Sequence, residues 1–407
     1  MNRIEKLLQT LAPKGVEFRK LGEVCEIIRG KRVTKKEILD KGKYPVVSGG
    51  IGFMGYLNEY NREENTITIA QYGTAGFVNW QNQKFWANDV CFSLIPNETL
   101  IINRYLYYVL TNKQNYLYSI SNRSAIPYSI SSNNIMQITI PIPPLEIQQE
   151  IVKILDAFTE LNTGLNTELK ARKKQYEYYQ NMLLDFNGIN SNHKDAKMSV
   201  KTYPKRLKTL LQTLAPKGVE FRKLGEVLEY DQPNKYCVTS KEFDKSYPTP
   251  VLTAGKTFIL GYTNEKDNIY QASKNAPVII FDDFTTATQW VDFPFKVKSS
   301  AMKILFSKNP TINIRFIFFY MQTIPYNISG EHTRQWISRY SKITIPIPPL
   351  EIQQEIVKIL DQFSLLTTDL LAGIPAEIKA RKKQYEYYRE KLLTFKSLTP
   401  HKEVKKC

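Results

Sequence analysis

The side chains best suited to acid–base, metal or nucleophilic chemistry are few in this sequence and widely scattered. Its three histidines, His193, His332 and His401, have no second ligand at helical spacing, so they make no zinc set. Cys25, Cys91, Cys237 and Cys407 stand singly, which argues against a disulfide framework or a zinc knuckle. Gly50, Gly52 and Gly55 have G-x-G-x-x-G spacing, but YLNEYNREE and then a strand follow where a dinucleotide site needs a helix and a distant acid. That run reads as a tight turn. AGKT at 254–257 imitates the end of a phosphate loop, yet its upstream glycine would fall at Pro250. No Asn/Asp-Pro-Pro-aromatic run of the adenine-methylating kind occurs, and the acid-x-Lys pairs Glu168/Lys170 and Glu377/Lys379 lack a partner acid. Asp282-Asp283 reads as an acceptor for cytosine amino groups, or as plain surface, before a metal site. The expectation is a protein without catalysis, metal or cofactor of its own.

Residues suited to holding a nucleic acid are more plentiful. RGKRVTKK places Lys31, Arg32, Lys35 and Lys36 in one basic cluster, and AQYGTAGFVNW sets Tyr72 and Thr74 beside glycines that allow close backbone approach. SNRSAIPYS offers Arg123, Ser124 and Tyr128, and SGEHTRQWISR offers Arg334, Gln335, Trp336 and Arg339 at the equivalent place. Lys256, Thr285, Thr286 and Gln289 complete the candidates in the second half. Arg can grip a guanine edge and Gln an adenine edge, while Lys mostly serves phosphate. The competing reading for Trp336 and Tyr128 is burial, and for the basic cluster a solvated loop.

The elements that must position these residues are declared by an internal repeat. LLQTLAPKGVEFRKLGEV at 7–24 recurs letter for letter at 210–227, ITIPIPPLEIQQEIVKILD at 138–156 recurs at 343–361, and KARKKQYEYY at 170–179 recurs at 379–388. Between the first two blocks, 25–137 and 228–342 share little beyond a few anchors, such as Gly55 with Gly261 and Glu59 with Glu265. Drift would blur the frame along with the centres. The pattern therefore predicts a constant scaffold carrying two variable recognition domains. The 407 residues suit two or more domains, and the net charge of +17 favours an acidic partner, nucleic acid first. That charge is concentrated outside the spacer: 1–145 carries +6, 210–345 carries +5, and the linker-like 191–209 carries +5, against −2 for 146–190. No apolar run reaches the ~20 residues of a membrane helix, and MNRIEKLLQT lacks a signal peptide's apolar stretch. The chain reads as cytoplasmic.

After Pro141, Pro143 and Pro144, which end the strand-like ITI, an apolar ladder begins. It runs Ile147, Ile151, Ile154, Phe158, Leu161, Leu165, Leu169, Arg172, Tyr176, Tyr179, Leu183, Phe186 in mostly alternating steps of four and three, the seam of a coiled coil. The tetrads TELN, TGLN and TELK at 159–170 introduce a stutter. At ~1.5 Å per residue this helix would be a rod of ~60 Å. The second ladder uses Ile352, Ile356, Ile359, Phe363, Leu366, Leu370, then Tyr385, Tyr388 and Leu392, with a break expected at Gly373-Ile374-Pro375 and a restart after Pro375. The simplest arrangement packs the rods on each other, antiparallel; the bland alternative packs each on its own domain. In the variable parts YPVV, TITIA, VCFSLI, MQITI, PVII, VDFPFKV, MKILF and KITI read as strands. Helices are expected at 3–11, 105–112, 206–214 and over IRFIFFYMQT. The predicted fold is α+β: two β-rich α/β recognition domains (1–145 and 210–345) separated by two long antiparallel coiled-coil helices (146–190 and 346–400), with a basic linker at 191–209 and pseudo-two-fold duplication.

This organisation resembles the DNA-specificity subunit of type I restriction–modification systems. LAPKGVEFRKLGEV before each variable domain, IPIPPLEIQQEIVKILD after it, the KARKKQYEYY helices and the QYGTAGFV turn carry the likeness over essentially the whole chain. FDDFTTATQW in the second domain departs from that glycine turn. The resemblance implies two target-recognition domains reading the halves of a split, asymmetric double-stranded DNA site, with the helices as a ruler between them. It implies a non-catalytic subunit that docks two methyltransferase subunits, which use S-adenosylmethionine, and joins ATP-driven restriction subunits. The readings set against it are a self-sufficient nucleic-acid-modifying enzyme with an unrecognised site, and a coiled-coil adaptor holding RNA or a protein.

Overall fold

The computed structural model describes residues 3–186, 203–253, 257–325, 334–368 and 373–398. They form two compact units, Met1–Asn166 with Glu377–Cys407, and Thr167–Ala376.

The first unit starts with the amphipathic helix Arg3–Leu11. Gly15 then turns the chain at φ +119°, where a Cβ would lie 2.7 Å from the Lys396 carbonyl oxygen. The strand Glu17–Lys20 follows and pairs antiparallel with Thr139–Ile142, Phe18 facing Pro141. The strand after the variable region thus runs through Pro141 instead of ending before it. A two-stranded ribbon leaves each strand one free edge, so a missing N–H is tolerated there. Between these strands, a four-stranded antiparallel sheet runs Cys25–Arg29, Cys91–Pro96, Thr66–Ala70, Val78–Gln81. A smaller sheet runs Tyr56–Leu57, Tyr44–Val47, Trp86–Ala87, its last pair parallel. Ile67, Ile69, Phe92 and Leu94 meet Tyr105, Leu106 and Val109 of the helix Asn103–Asn112 in one core.

The second unit repeats this plan with different residues. Glu220–Lys223 pairs with Thr344–Ile347, in the register of the first unit's ribbon. The larger sheet runs Glu229–Asp231, Met302–Phe306, Val278–Asp282, Thr288–Val291, and the smaller one Ile259–Thr263, Thr249–Leu252, Lys296–Val297. VDFPFKV divides between two of these strands. The helix Ile314–Met321 takes the place of Asn103–Asn112. Centres that share few letters therefore share a topology, because alternating β-branched and aromatic residues specify strands without specifying which residues they are.

The first spacer is a single helix, Leu145–Leu184; the second is two, Leu350–Thr368 and Ile374–Leu393. The restart comes two residues earlier than expected, at Ile374, placing Pro375 in the first turn, where its absent N–H has no partner to lose. In the first unit the Phe158 ring stacks on Tyr388 at 5.5 Å and tilts against Tyr385 at 6.4 Å. In the second, Tyr179 stacks on Phe363 at 5.1 Å. These are the same pair with the repeats exchanged, so early residues of each spacer meet late residues of the other. The ends of both ladders behave otherwise. Ile151 and Leu392 lie in the core of the first unit, and Leu183 and Ile356 in that of the second. The bland alternative thus holds only for the first turns of each spacer, where Ile151 and Ile356 join the core of their own domain; Leu183 and Leu392, near the far ends, join the core built by the other repeat. In the middle Leu161 is 40% exposed, Leu165 and Leu169 are half-buried like Leu366, and Leu370 lies outside the described residues. The tetrads stay helical, with Thr159, Asn162, Thr163 and Asn166 donating to carbonyls four residues back.

Candidate nucleic-acid interface

In the first unit, hydrogen bonds bring three loops together. The Gly49 carbonyl accepts from the Thr74 N–H at 3.0 Å and from its hydroxyl at 2.7 Å. A Cβ at Gly49 would sit 2.2 Å from the Tyr72 oxygen, so glycine is required. The Gly73 N–H donates to Tyr128 O at 3.0 Å, and Asn122 and Ser129 exchange backbone bonds at 2.7 and 3.1 Å. Residues 48–55, 71–76 and 122–130 consequently form one surface. The glycine run at 50–55 is followed by a strand, not a helix, as expected for a turn.

On that surface Arg123 is exposed, its guanidinium lying over Tyr118 at 5.5 Å and Tyr128 at 5.2 Å. Asn122 Oδ1 accepts from the Ser124 N–H at 3.0 Å, which orders the loop tip. Tyr72 is half-buried, and Thr74 serves to fasten the loop. Apolar side chains stand among these polar ones: Ile126 is 98% exposed, Ile51 68% and Phe53 48%. Neither charge nor hydrogen-bonding capacity, the two signals of a nucleic-acid contact in a sequence, marks these residues.

The basic cluster adjoins this surface. Lys31 N–H donates to Ala87 O at 2.9 Å, Trp86 Nε1 donates to Lys31 O at 2.9 Å, and Asn88 Oδ1 accepts from Val33 N–H at 3.1 Å. The Asn88 amide also reaches Ser48 Oγ at 3.5 Å, at the edge of the glycine loop. Lys31, Arg32, Lys35 and Lys36 all project into solvent from this fixed backbone.

The second unit corrects several expectations. Asp282 and Asp283 are buried, at 5% and 1% exposure, and their oxygens have internal partners. Asp282 accepts from the Phe284 N–H, the Thr285 N–H and the Thr285 hydroxyl at 2.9, 3.2 and 2.6 Å. Asp283 accepts from the Trp336 N–H at 2.8 Å and faces Lys303 Nζ at 3.7 Å. Burial holds the Lys303 ammonium below its ordinary range, opposed by the Asp283 charge. The pair therefore braces a turn instead of presenting acceptors to a base. Gln335 and Trp336 are buried at 2% each, Trp336 packing on Phe281 at 5.3 Å, so neither side chain is placed to reach a ligand. Arg334, Arg339, Thr285 and Gln289 are exposed, while Thr286 is half-buried at φ +60°. Lys256 lies outside the described residues. The segments before the last strand do occupy equivalent places: Ile130 N–H donates to Gln71 O in one unit, and Gln335 N–H to Asp283 O in the other.

The attachment of each variable domain to its frame joins residues some forty to fifty positions apart and so leaves no local signal in the sequence. Gln148, 0% exposed, accepts from Ile102 N–H at 2.8 Å and donates to the carbonyls of Leu100 and Pro143 at 3.0 and 2.7 Å. Gln353 repeats all three contacts with Asn313, Thr311 and Pro348 at 2.8, 3.1 and 2.7 Å. These bonds go to backbone, so the frame can hold domains of different sequence. A second attachment uses side chains. Arg104 lies 4.6 Å over Trp80 and donates to Asp156 at 2.7 Å; Arg315 lies 4.5 Å over Trp290 and donates to Asp361 at 2.9 Å.

Burial pushes the Cys25 and Cys91 thiols up to about 12, so neither is a ready nucleophile. Among the described residues no His, Cys, Asp and Glu group is placed to hold a metal, and no helix is long and apolar enough to cross a membrane.

The family model for the type I restriction modification DNA specificity domain matches residues 13–172 and, separately, 216–380. The chain is 31% identical over 418 residues to a putative type I restriction enzyme specificity subunit of Haemophilus influenzae, S.HindORF215P, covering 96% of this chain and 98% of that one. It is 55% identical over 188 residues to the EcoR124I/EcoR124II specificity subunit of Escherichia coli, a match spanning 44% of this chain and 45% of that relative. The crystal structure of a type I restriction–modification S subunit from M. genitalium shares the fold at TM-score 0.65 and 17% identity, covering 95% of this chain and 96% of the other. With one family model fitting both repeats and a relative aligned over nearly its whole length, the chain belongs to the type I restriction–modification specificity subunits, the non-catalytic members of those systems.

Proposed function

We propose that this chain binds a split, asymmetric sequence in duplex DNA, each recognition domain reading one half. Residues 1–145 and 210–345 are the readers, 146–190 and 346–400 the spacer helices, and 191–209 the basic linker. The observation that carries this is one topology built twice on a letter-identical frame, with different residues at equivalent loops. The Ile130–Gln71 bond of the first unit is matched by the Gln335–Asp283 bond of the second; exposed Arg123, Ser124 and Tyr128 precede the one, and exposed Arg334 precedes the other. A frame held constant under changing loops suits a reader whose target changes while its assembly partners do not.

In the first reader, Lys31, Arg32, Lys35 and Lys36 serve phosphates, and Tyr72, Arg123, Ser124 and Tyr128 face base edges; Thr74 fixes their loop. In the second, Arg334, Arg339, Thr285, Gln289 and Lys256 take the corresponding roles. The identical frames dock two copies of the methyltransferase subunit, and restriction subunits join the cleaving complex. These partners supply the chemistry, and the assembly works in the cytoplasm.

The test is selection from a random-sequence duplex pool by the full-length chain together with its methyltransferase subunits. Recovery of two fixed half-sites at a fixed gap is the expected result. An unselective pool, or stronger retention of RNA than of DNA at matched salt, overturns the reading.

A further inference from the structure

The spacer helix bears on the variable domain at two kinds of contact, and only one of them constrains side chains. The Gln148 and Gln353 bonds reach main-chain groups and place no demand on the sequence they hold. Trp80, Arg104 and Asp156 in the first unit, and Trp290, Arg315 and Asp361 in the second, form a side-chain clamp. Asp156 and Asp361 close the identical ITIPIPPLEIQQEIVKILD blocks. The other four residues lie in regions that otherwise share few letters.

The two clamps are nearly superimposable in their distances. Arg104 sits 4.6, 5.0 and 5.1 Å from the rings of Trp80, Tyr107 and Tyr108; Arg315 sits 4.5, 5.0 and 4.8 Å from Trp290, Phe318 and Phe319. Trp80 meets Tyr107 at 5.6 Å and 55°, and Trp290 meets Phe318 at 5.7 Å and 55°. Each arginine side chain is mostly enclosed, at 23% and 22% exposure. A flat cation confined between rings and a carboxylate fixes an angle as well as a distance, which a lysine ammonium cannot do. The clamp joins a sheet strand (Trp80 or Trp290), a domain helix (Arg104 or Arg315) and the spacer helix (Asp156 or Asp361).

We infer that Arg104 and Arg315, each held between a tryptophan and a spacer-helix aspartate, are positioning residues that set the angle of each reader on its spacer and so fix the half-site spacing the protein accepts. This rests on the bipartite reading above. The first clamp touches none of the loops assigned to bases, and in the second only Trp290 adjoins such a residue, Gln289, whose side chain leaves the opposite face of their strand. The clamps therefore act on where a reader points and not on which letters it reads.

The experiment uses the full-length chain with its methyltransferase subunits. Its duplex pool carries the two half-sites selected by the unaltered protein, with the gap varied one base pair at a time. Arg104→Lys/Arg315→Lys is expected to keep both half-sites and to lose roughly tenfold of its preference for the best gap over its neighbours. If that variant does not fold, Asp156→Asn/Asp361→Asn, which keeps the ring stack and removes the helix-side charge, is expected to broaden the gap in the same direction. A folded variant with the original sharp gap overturns the inference, as does one that loses half-site letters at an unchanged gap. An unaltered protein that selects no pair of half-sites overturns the bipartite reading itself, which separates the two failures.

Discussion

Trp336 is enclosed against Phe281, while Arg339, three positions on, faces solvent. Both came from one sequence segment, and burial assigns them different work. Trp336→Ala removes a fully packed aromatic and is expected to lower stability by about 3–5 kcal/mol, read from urea unfolding. Arg339→Ala is expected to stay within about 0.5 kcal/mol of the unaltered protein and to weaken DNA binding; equal stability losses in the two variants would contradict this division. Ile126, 98% exposed, should behave like Arg339: Ile126→Ser leaves the melt unchanged and lowers affinity for the selected duplex. Glu265 offers a pH handle. Its carboxylate accepts from Thr239 N–H, Thr239 Oγ1 and Ser240 N–H at 2.9, 3.0 and 2.8 Å and pairs with Lys296 at 2.9 Å. Burial tends to raise its pKa, yet the hydrogen bonds from Ser240, Lys296 and Thr239 outweigh that and bring it from 4.5 to about 2. The unfolded chain therefore binds a proton first on acidification, so the stabilisation is present above 4.5 and fades as pH falls toward 2. Because the group retains solvent contact, the effect is on the order of 1 kcal/mol. Unfolding measured at stepped acidic pH should show Glu265→Gln lacking this part of the decline.

At the scale of elements, the tetrads carry a length prediction. Removing Thr163–Asn166 shortens a continuous helix by ~6 Å, close to two base-pair rises of ~3.4 Å, and rotates the following seam by only ~40°. The half-site gap is expected to shrink while both half-sites persist; an unchanged gap in the methylation map of cells carrying this variant would refute the ruler. The exposed Leu161, the half-buried Leu165 and Leu169 and the Thr and Asn back-bonds leave this stretch few packing obligations, which is why a change of length is tolerable. The alternation of threes and fours foretold this helix, though not which rings would meet across it. It did not reveal that Ile151 and Ile356 enter domain cores. An apolar ladder reports that a face is covered and is silent on what covers it.

For the whole molecule, the duplicated frame and the net charge of +17 yield separable expectations. Exchanging residues 25–137 for the matching region of another member of the family should change one half-site and leave the other intact. A change in both would mean that the readers are not independent. Affinity for any duplex should fall linearly on a log–log plot against salt, with a slope of about −0.9 per phosphate contacted. Lys31→Ala/Arg32→Ala/Lys35→Ala/Lys36→Ala should flatten that slope without altering the selected letters, as titrations of bound fraction across salt would report.

The sequence alone determined the repeat, the spacer helices, the break near Gly373 and the absence of a recognisable catalytic set, because each is a property of order along the chain. Identity between blocks and apolar spacing need no partner to be seen. Tertiary structure decided what each candidate side chain faces: it turned Asp282, Asp283, Gln335 and Trp336 inward, set Ile126 outward, and gathered Trp80, Arg104 and Asp156 from three separate elements. Those outcomes depend on contacts between residues far apart in the chain, and burial of a polar group is tolerable only where such contacts satisfy it.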